Sequence, residues 1–286
     1  MPRDSKGVLY VVATPIGNLD DITLRALKIL KQVQLVAAED TRRSGILLRH
    51  FGIETAILSV HEHNERARIE RILSQLGRGE SVALVTDAGT PGISDPGAAL
   101  VAAIREAGFR VEPIPGASAV AAAVSASGIS SPGFTFLGFP PIRSKDRKAW
   151  WGQLSEASKH RLVVFFEAPH KVRKTLEDLA LLVKRPIIIG RELTKLHEEF
   201  VTGTALELLA KFDAPQGEFT VLVPPVEPGE EATVEVTDDS VVDLFGQITK
   251  LRQSGSKRDA ARETGERLGL TAKQVYDIIE RHKLAD

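Results

Sequence analysis

The sequence has no cysteine, few aromatic residues and almost no net charge, and these shortages exclude several classes of function. Without cysteine the chain cannot form disulfides, hold an iron–sulfur cluster or use a thiolate as a nucleophile. Its 37 Lys and Arg residues nearly balance its 38 Asp and Glu residues, so the overall charge does not indicate a nucleic-acid partner. Such a partner would have to bind a local basic surface.

The patterns of a metal site and of a membrane protein are also missing. None of the seven histidines lies four residues from another, which is the spacing of a helical zinc site, and we therefore expect no bound metal. No apolar run approaches the ~18 residues of a membrane-spanning helix. The first residues lack the apolar core of a signal peptide. These features predict a cytoplasmic protein without membrane association.

Strand-length apolar runs alternate with amphipathic segments through the first two thirds of the chain, which predicts an α/β fold with a large parallel component. Further runs between residues 134 and 223 predict a second α/β unit. Two short helices near the end, the second with a capping box at Thr271 and Gln274, predict a helix-turn-helix-like module. The expected divisions are an N-terminal α/β domain at 1–127, a second α/β domain at 128–224, a linker at 225–236 and a helical C-terminal domain at 237–286.

Glycine and proline are concentrated in loops that follow strands. The stretch Asp87–Gly97 has three Gly and two Pro in eleven residues, and Pro15 and Pro115 lie at the ends of two other strands. Ligands of open α/β sheets bind at this edge, and such loops let a ligand approach the backbone closely. The alternative is a structural turn that leads into a helix capped by Asp95, with Pro96 at its first position.

No glycine-rich phosphate-binding motif accompanies these loops. The sequence has no G-x-x-x-x-G-K-[ST] pattern, and no G-x-G-x-x-G pattern follows its first strand. A ligand without phosphates suits such loops better. S-adenosylmethionine, which combines a sulfonium, a ribose and an adenine, is one such ligand.

Several sequence blocks together resemble the tetrapyrrole methylase superfamily, the class III S-adenosylmethionine-dependent methyltransferases. These blocks are ATPIGNLDD (13–21), TDAGTPGISDPG (86–97), PIPGASA (113–119) and VFFEAP (164–169). A second set is similar to the ribosomal RNA branch of that superfamily, the small-subunit rRNA methyltransferase I group. That set is AEDTR (38–42), HEHNE (61–65), EAPH (167–170) and RELTKLHEE (191–199).

This resemblance implies a two-domain tetrapyrrole-methylase-like fold with a cofactor cleft between the domains and a small helical C-terminal domain. It also implies 2′-O-methylation of a cytidine in the decoding centre of 16S rRNA, within the small ribosomal subunit, by a homodimer. Thr14 and Ile16 depart from the Gly-Pro-Gly-Asp pattern of the superfamily's first loop, which fits a substrate other than a tetrapyrrole. The positions that would contact S-adenosylmethionine are Pro15, Ala88, Gly89, Thr90, Pro91, Ile93, Ser118, Ala119, Glu167 and Leu193.

Methylation of a hydroxyl needs a group that takes its proton, because a neutral hydroxyl is a poor nucleophile. The candidate catalytic residues are Asp87, Glu167, Lys195 and His197. Three of them also have ordinary interpretations, in which Asp87 is a turn residue, Glu167 a cofactor ligand and His197 a surface histidine. Lys195, together with Arg191, either holds a phosphate of the RNA or belongs to a solvated charged loop.

A local basic stretch supplies the positive charge that RNA binding needs. Residues 142–175 have nine basic and three acidic side chains. Trp150 and Trp151 within them suggest base stacking or, alternatively, an amphipathic helix with one Trp in the core. Residues 250–286, with nine basic and six acidic side chains, suit RNA or, equally, contact with a second copy or a ribosomal protein. The candidate RNA-binding residues are Arg42, Arg143, Lys145, Arg147, Lys148, Lys171, Arg191, Lys257, Arg258 and Lys273.

Two other functions are compatible with this sequence. One is a tetrapyrrole methyltransferase of the same fold, which would need a large apolar cleft rather than a basic stretch. The other is a non-enzymatic RNA-binding or ribosome-assembly protein whose cofactor site has lost its activity. Binding of S-adenosylmethionine and the identity of the methylated product distinguish the three functions.

Overall fold

The described part of the chain forms two five-stranded sheets and a helical C-terminal module. The computed structural model describes residues 6–61, 64–227, 238–251, 256–268 and 270–283. The strands in these ranges are β1 Val8–Val12, β2 Leu35–Ala38, β3 Ile57–Ser59, β4 Val82–Val85, β5 Arg110–Ile114, β6 Phe134–Phe136, β7 Leu162–Glu167, β8 Ile187–Arg191, β9 Glu199–Gly203 and β10 Phe219–Val223. The helices are α1 Leu24–Gln32, α2 Thr41–His50, α3 Glu65–Gly77, α4 Ala98–Glu106, α5 Ala119–Ala126, α6 Ser144–Ala157, α7 Pro169–Leu182, α8 Ala205–Lys211, α9 Asp238–Leu251, α10 Lys257–Leu268 and α11 Ala272–Lys283. None of the helices in these ranges has the length and apolar character needed to cross a membrane.

The first sheet is entirely parallel, in the order β3-β2-β4-β1-β5. Its strands β2 and β4 are buried along their whole length, because helices cover both faces, as is usual for parallel sheets. Helices α1 and α2 cover one face, where Leu30 and Leu48 join a cluster with Val36 and Val85. Helices α3 and α4 cover the other face through residues such as Ile72. This sheet confirms the predicted α/β fold with a large parallel component.

The second sheet is mixed, in the order β6-β7-β10-β8-β9. Strands β6 and β7 pair in parallel, whereas β10 is antiparallel to both β7 and β8, and β8 is antiparallel to β9. Residues 192–198, which connect β8 and β9, are too few for a parallel crossover, which needs about a dozen residues or more. The parallel arrangement of the first sheet therefore does not continue into the second.

An apolar cluster, here called the interdomain core, joins the two sheets. Helix α5 follows the last strand of the first sheet, yet it packs on β7 and β10 of the second. The opposite face of those strands packs against α6, α7 and α8. The second sheet is therefore covered on both sides, once by its own helices and once by the first domain. The interdomain core consists of Ile16, Val120, Ala123, Leu162, Val164, Leu193 and Leu222.

The described residues of the tail form three helices, α9, α10 and α11, of which α9 adds to the two that the sequence predicts. The predicted capping box is confirmed, since Thr271 N donates to Gln274 Oε1 at 2.8 Å and Gln274 N donates to Thr271 Oγ1 at 3.2 Å. Ile248 of α9 packs against Leu181 of α7, which attaches the tail to the second domain. Most of the predicted linker at 225–236 lies outside the described residues.

Helix α4 begins at Ala98, as the sequence predicts, but its cap is a different residue. Its N-cap is Gly97, whose φ of +124° favours glycine and whose position would bring an added Cβ within 3.0 Å of the Leu84 side chain. The expectations that Asp95 caps this helix and that Pro96 is its first residue are therefore wrong. Both residues belong to the preceding loop, where the Asp95 carboxyl is free of a capping role.

Candidate active site

A cleft of about 370 Å³ lies between the two domains. Loops that follow β1, β4 and β5 form one side, and the end of β7 and the start of β10 form the other. These two ends adjoin because β7 and β10 are antiparallel, with Phe219 opposite Glu167. The lining includes seven of the ten positions expected to contact a cofactor, namely Ala88, Gly89, Thr90, Ile93, Ser118, Ala119 and Glu167.

The other three positions lie beside the cleft rather than along it. Pro15 is buried, and its neighbour Ile16 takes the place at the cleft wall. Pro91 is buried and lines a separate cavity behind the loop. Leu193, which is 7% exposed, belongs to the interdomain core. Of the ten positions expected to contact a cofactor, these three therefore do not face the cleft.

Hydrogen bonds join the three loops of the first domain into one wall. Thr14 N donates to Gly89 O at 2.8 Å, and Gly89 N donates back to Thr14 O at 3.1 Å. Thr90 Oγ1 donates to Ala117 O at 3.3 Å and so connects the second loop to the third. Gly89 has a φ of +84°, and an added Cβ would lie 3.3 Å from Ile16 Cγ2. A side chain at this position would therefore strain the backbone that faces the cleft.

Glu167 ends β7 and is 2% exposed at the cleft wall. Its Oε1 accepts a hydrogen bond from Ala168 N at 2.8 Å, and its Oε2 accepts one from the Thr175 hydroxyl. Thr175 Oγ1 in turn accepts from Arg147 Nη2 at 2.9 Å, and Arg147 Nε pairs with Asp178 at 3.1 Å. This chain of contacts fixes the orientation of Glu167 and engages both of its oxygens.

Lys195 bridges two carboxylates at the edge of the site. Its Nζ lies 2.8 Å from Glu192 Oε1 and 3.0 Å from Glu218 Oε2, and Glu218 lines the cleft. Partial burial acts to lower the pKa of Lys195, but the two carboxylates outweigh it and the pKa is raised. Lys195 is therefore a cation at the edge of the site, outside the cleft lining, and cannot accept a proton. His197 lies exposed farther along the same loop, outside the cleft lining.

The same loop touches the first domain. Thr194 Oγ1 accepts a hydrogen bond from Asn18 N at 3.1 Å. Both Glu192 and Thr194 have a left-handed backbone, with φ of 51° and 66°, a conformation that costs energy in residues other than glycine. An added Cβ at Gly17 would lie 2.4 Å from Lys195 Cγ. The two domains therefore meet here at a distance that only glycine permits.

Asp87 and Asp95 lie in the loop after β4 but face different surroundings. Asp87 accepts from Asp40 N at 3.0 Å and lies 3.6 Å from Arg43 Nε, outside the cleft lining. Burial raises the pKa of Asp87. Asp95 lines the cleft, and burial, assisted by the charges of Glu39 and Asp87 and opposed by a hydrogen bond with Thr86, raises its pKa to about 6. Asp95 is not among the site residues predicted from the sequence, because aspartate is also common as a helix cap. Gly97, directly before α4, is the signal that the cap lies after Asp95 and that Asp95 belongs to the loop.

The charges of the cleft all have one sign. Its acidic lining residues are Asp95, Glu167 and Glu218, and none of the described residues that line it is Lys, Arg or His. Such a lining repels phosphate groups and favours a ligand that carries positive charge. Apolar side chains, among them Ile16, complete the wall. Within the described ranges, no group of three or more His, Asp or Glu side chains is arranged to hold a metal ion.

Comparison with known proteins assigns the family. The sequence profile of the tetrapyrrole (corrin/porphyrin) methylases matches residues 8–209. A ribosomal RNA small subunit methyltransferase I of Synechocystis sp. is 42% identical over 277 residues, which covers 95% of this chain and 97% of that protein. The protein of the same name from Haemophilus influenzae is 43% identical over 262 residues, or 88% of this chain and 91% of that protein. The chain belongs to the ribosomal RNA small subunit methyltransferase I family, within the tetrapyrrole methylases.

The fold agrees with this assignment. The crystal structure of a uroporphyrin-III-C-methyltransferase from Thermus thermophilus superposes with a TM-score of 0.54 at 20% identity, covering 76% of this chain and 94% of that one. The recognised resemblance to the tetrapyrrole methylases, and to their ribosomal RNA branch, is therefore confirmed. The chain is a member of a methyltransferase family.

The basic stretch of this family member divides into exposed and buried residues. Arg143 and Lys145, at the start of α6, are exposed and follow Phe139, whose half-exposed ring lines the cleft. Arg147 is instead 15% exposed and holds Asp178 and Thr175, so the interior of the second domain, and not a partner, occupies its guanidinium. Lys148 is exposed on the same helix, and Lys171 on α7 is half-buried.

Both tryptophans of the basic stretch are buried, at 6% and 9% exposure. Trp150 Nε1 donates to Leu137 O at 3.1 Å, and both rings pack edge-on against Phe165 of the sheet. The suggestion that Trp150 or Trp151 stacks on an RNA base is therefore wrong, because each ring completes the core of the second domain.

The remaining candidate RNA-binding residues are dispersed. Arg42 is exposed and pairs with Asp40 at 2.8 Å; that hydrogen bond lowers the pKa of Asp40 to about 2. Arg191 does not line the cleft, and its guanidinium donates to Glu199 at 2.8 Å and to Gln216 O at 2.6 Å. The tail candidates Lys257, Arg258 and Lys273 are exposed on α10 and α11.

Proposed function

We propose that this protein is an S-adenosylmethionine-dependent methyltransferase that methylates the ribose 2′-hydroxyl of a cytidine in the decoding centre of 16S rRNA. Its relatives carry the name ribosomal RNA small subunit methyltransferase I at 42–43% identity. The observation that carries the proposal is the interdomain cleft, whose described lining is acidic and apolar and has no basic side chain. That lining suits a cationic methyl donor without phosphates, and the exposed basic residues that follow Phe139 in sequence suit an RNA backbone.

The residues present fit S-adenosylmethionine. Gly89 and Thr90 bring the glycine-bent backbone to the cleft surface, and Ser118 caps α5, which begins at Ala119, at the same wall. Glu167, already oriented by Thr175, faces them from the second domain. When bound, S-adenosylmethionine supplies an electrophilic methyl group on a positively charged sulfur. The protein's own share is to align the acceptor oxygen with that methyl group and exclude water, which lowers the barrier chiefly through proximity.

The contacts of several candidate proton acceptors that the sequence suggests make them unsuitable for that role. Lys195 carries its proton, His197 is exposed outside the cleft lining, and both oxygens of Glu167 are engaged in fixed hydrogen bonds. We assign Glu167 to positioning of the bound donor and Lys195 to holding Glu218 at the cleft edge. Asp87 supports the loop by accepting from Asp40 N.

The RNA surface that we propose begins at the mouth of the cleft. Phe139 lines the cleft with a ring that is about half exposed, and Ile142 is 80% exposed. Arg143 and Lys145, which come next in the sequence, are also exposed. An exposed ring with cations four and six residues farther along the chain suits stacking of an unpaired base and attraction of its phosphates. Lys257, Arg258 and Lys273 of the tail extend this surface in the proposal. We also propose that the protein acts as a homodimer in the cytoplasm.

The test is methyl transfer from radiolabelled S-adenosylmethionine to small ribosomal subunits that lack the modification. We expect label in 16S rRNA, at the 2′-oxygen of one cytidine, identified by nuclease digestion and mass spectrometry. Label in a porphyrinogen and none in rRNA would establish the tetrapyrrole methyltransferase instead. Calorimetry that detects no binding of S-adenosylmethionine, together with retained RNA binding, would establish the non-enzymatic alternative.

A further inference from the structure

Residues 86–97, here called the cleft loop, supply more of the cleft lining than any other described segment of the chain. The lining residues that they contribute are Ala88, Gly89, Thr90, Ile93, Ser94 and Asp95. The backbone of the cleft loop is strained at Ser94, whose φ of 63° is uncommon in a residue other than glycine. Such a conformation persists only where the surrounding structure holds it. The contacts at the two ends of the cleft loop therefore help to set the shape of the cleft.

The first end of the cleft loop is held by residues that follow the neighbouring strand. Strands β2 and β4 pair in parallel, so their carboxyl ends lie side by side. Glu39 directly follows β2, and its Oε2 accepts a hydrogen bond from the Thr86 hydroxyl at 2.8 Å. Asp40 N donates to Asp87 Oδ1 at 3.0 Å. Two hydrogen bonds therefore fix the first two residues of the cleft loop to the end of β2.

The second end of the cleft loop is held by a carboxylate from another helix. The cap of α4, Gly97, has no side chain that could accept from the first N–H groups of the helix, which need acceptors. Glu65, the first residue of α3, is 9% exposed, and its Oε1 accepts a hydrogen bond from Leu100 N at 2.8 Å. A negative charge is also favourable at this end of a helix. Glu65 thus replaces the missing cap and fixes the start of α4.

The loop after β3 holds Glu65 in place. Glu65 N donates to His61 O, and His61 N donates to Asn64 Oδ1, both at 2.9 Å. Asn64 Nδ2 donates to Ser59 O at 3.3 Å. The sequence blocks at 38–42 and 61–65 resemble those of the ribosomal RNA branch, yet none of their described residues lines the cleft. What the two blocks share in the structure is a carboxylate that anchors one end of the cleft loop.

We propose that Glu39 and Glu65 are positioning residues for the methyl donor, because they hold the two ends of the cleft loop in the shape that binds it. This inference rests on the proposed function, in which the donor is S-adenosylmethionine. A cleft loop released at one end opens locally, and the apparent affinity then falls with the fraction of molecules whose loop keeps the binding shape. The loss of a helix cap changes such an equilibrium by a factor of about 2–30.

The test measures the dissociation constant of S-adenosylmethionine by calorimetry, at a temperature at which every variant is folded. We expect Glu65→Ala to weaken binding about tenfold. Glu65→Gln should bind nearly as well as the wild type, because its amide oxygen can still accept from Leu100 N. The matched control is Thr204→Ala, which removes the cap of α8 on the opposite face of the second sheet. It should lower the Tm as Glu65→Ala does, yet leave the affinity for S-adenosylmethionine unchanged.

The other end of the cleft loop is tested in the same way. Glu39→Ala should weaken S-adenosylmethionine binding, and Glu39→Gln should restore it, because its amide oxygen can accept from the Thr86 hydroxyl. Since neither carboxylate lines the cleft, both alanine variants should raise the KM for S-adenosylmethionine. At saturating S-adenosylmethionine they should methylate rRNA at close to the wild-type rate.

Hydrogen exchange in the free protein needs neither the donor nor RNA. Gly89 N donates to Thr14 O at 3.1 Å and Ile93 N donates to Thr90 O at 3.2 Å, so both amides report whether the cleft loop is closed. We expect these two amides to exchange about tenfold faster in Glu65→Ala than in the wild type. Their exchange in Thr204→Ala should match the wild type.

The possible outcomes are distinct. If Glu65→Ala melts at a lower temperature but binds S-adenosylmethionine like the wild type, Glu65 only stabilises the fold and the inference is wrong. It is also wrong if Thr204→Ala weakens binding as much as Glu65→Ala does, because the effect is then global. Should Glu65→Ala fail to fold, the comparison of Glu39→Ala with Glu39→Gln decides. If exchange in the cleft loop responds to Glu65→Ala but the wild-type chain binds no S-adenosylmethionine, the proposed function itself fails.

Discussion

Replacement of Arg147 by alanine distinguishes a structural cation from the neighbouring cations that we propose bind RNA. Arg147 pairs with Asp178 at 3.1 Å, donates to Thr175 at 2.9 Å and lies over the ring of Trp151 at 5.3 Å. Loss of one partner of a buried ion pair costs about 3–5 kcal/mol, since the other charge stays buried. Lys174 still reaches Asp178 at 2.8 Å, so we expect a loss near the lower limit, about 3 kcal/mol.

The assay uses the two tryptophans of the chain, Trp150 and Trp151, which both lie in the second-domain core beside this pair. Urea unfolding followed by their fluorescence should report a lower midpoint for Arg147→Ala. The matched control is Lys145→Ala on the same helix, where an exposed side chain should change stability by no more than about 0.5 kcal/mol. For RNA the order reverses, and Lys145→Ala alone should weaken binding and reduce the salt slope by about one. An unchanged unfolding midpoint for Arg147→Ala, or a reduced salt slope in the folded variant, would refute the reasoning.

Three further predictions concern the cleft, its mouth and the tail. Gly17→Ala would place a Cβ 2.4 Å from Lys195 Cγ, so it should lower the free energy of unfolding by about 1–3 kcal/mol and weaken S-adenosylmethionine binding. The control is Gly77→Ala, whose Cβ has no neighbouring side chain within 4 Å. In thermal melting, Gly17→Ala should lower the Tm, whereas Gly77→Ala should leave it unchanged or raise it. Phe139→Ala should weaken binding of the rRNA substrate by about 1–3 kcal/mol if its ring stacks on a base, and equal KM values for the variant and the wild type would contradict stacking. Removal of residues 228–286 should weaken RNA binding and reduce its salt dependence while S-adenosylmethionine affinity persists in calorimetry; unchanged RNA affinity would count against an RNA-binding tail.

The strands and the loops between them were predictable because each depends on local sequence. The apolar runs around Val8 and Val82 reach strand length and end in polar or glycine-bearing loops, so the strands and the ligand edge of the first sheet follow directly. The capping box at Thr271 is equally local. The pairing of β10 between β7 and β8 was not predictable, because strand order in a mixed sheet depends on contacts between distant segments.

Sequence reasoning was weakest for charged and aromatic side chains. Arg143 and Arg147 are close in the chain, yet one is exposed and the other is locked to Asp178. Local charge density does not distinguish them, because the partner is 31 residues away in sequence. Asp95 was misassigned for a related reason: aspartate is common both at helix caps and in ligand loops, and the glycine at the true cap decides between them.

The interdomain core also constrains how the molecule moves. Swinging the domains apart on a hinge would uncover apolar side chains that are at most 9% exposed. Each Val, Leu or Ile among them contributes about 1.5–3 kcal/mol through its burial. A clamshell opening of that kind is too costly to accompany every turnover. If the cleft binds the methyl donor as proposed, the donor and its product must therefore enter and leave through the existing opening of the cleft. The side chains at that opening, rather than a domain motion, then control the exchange.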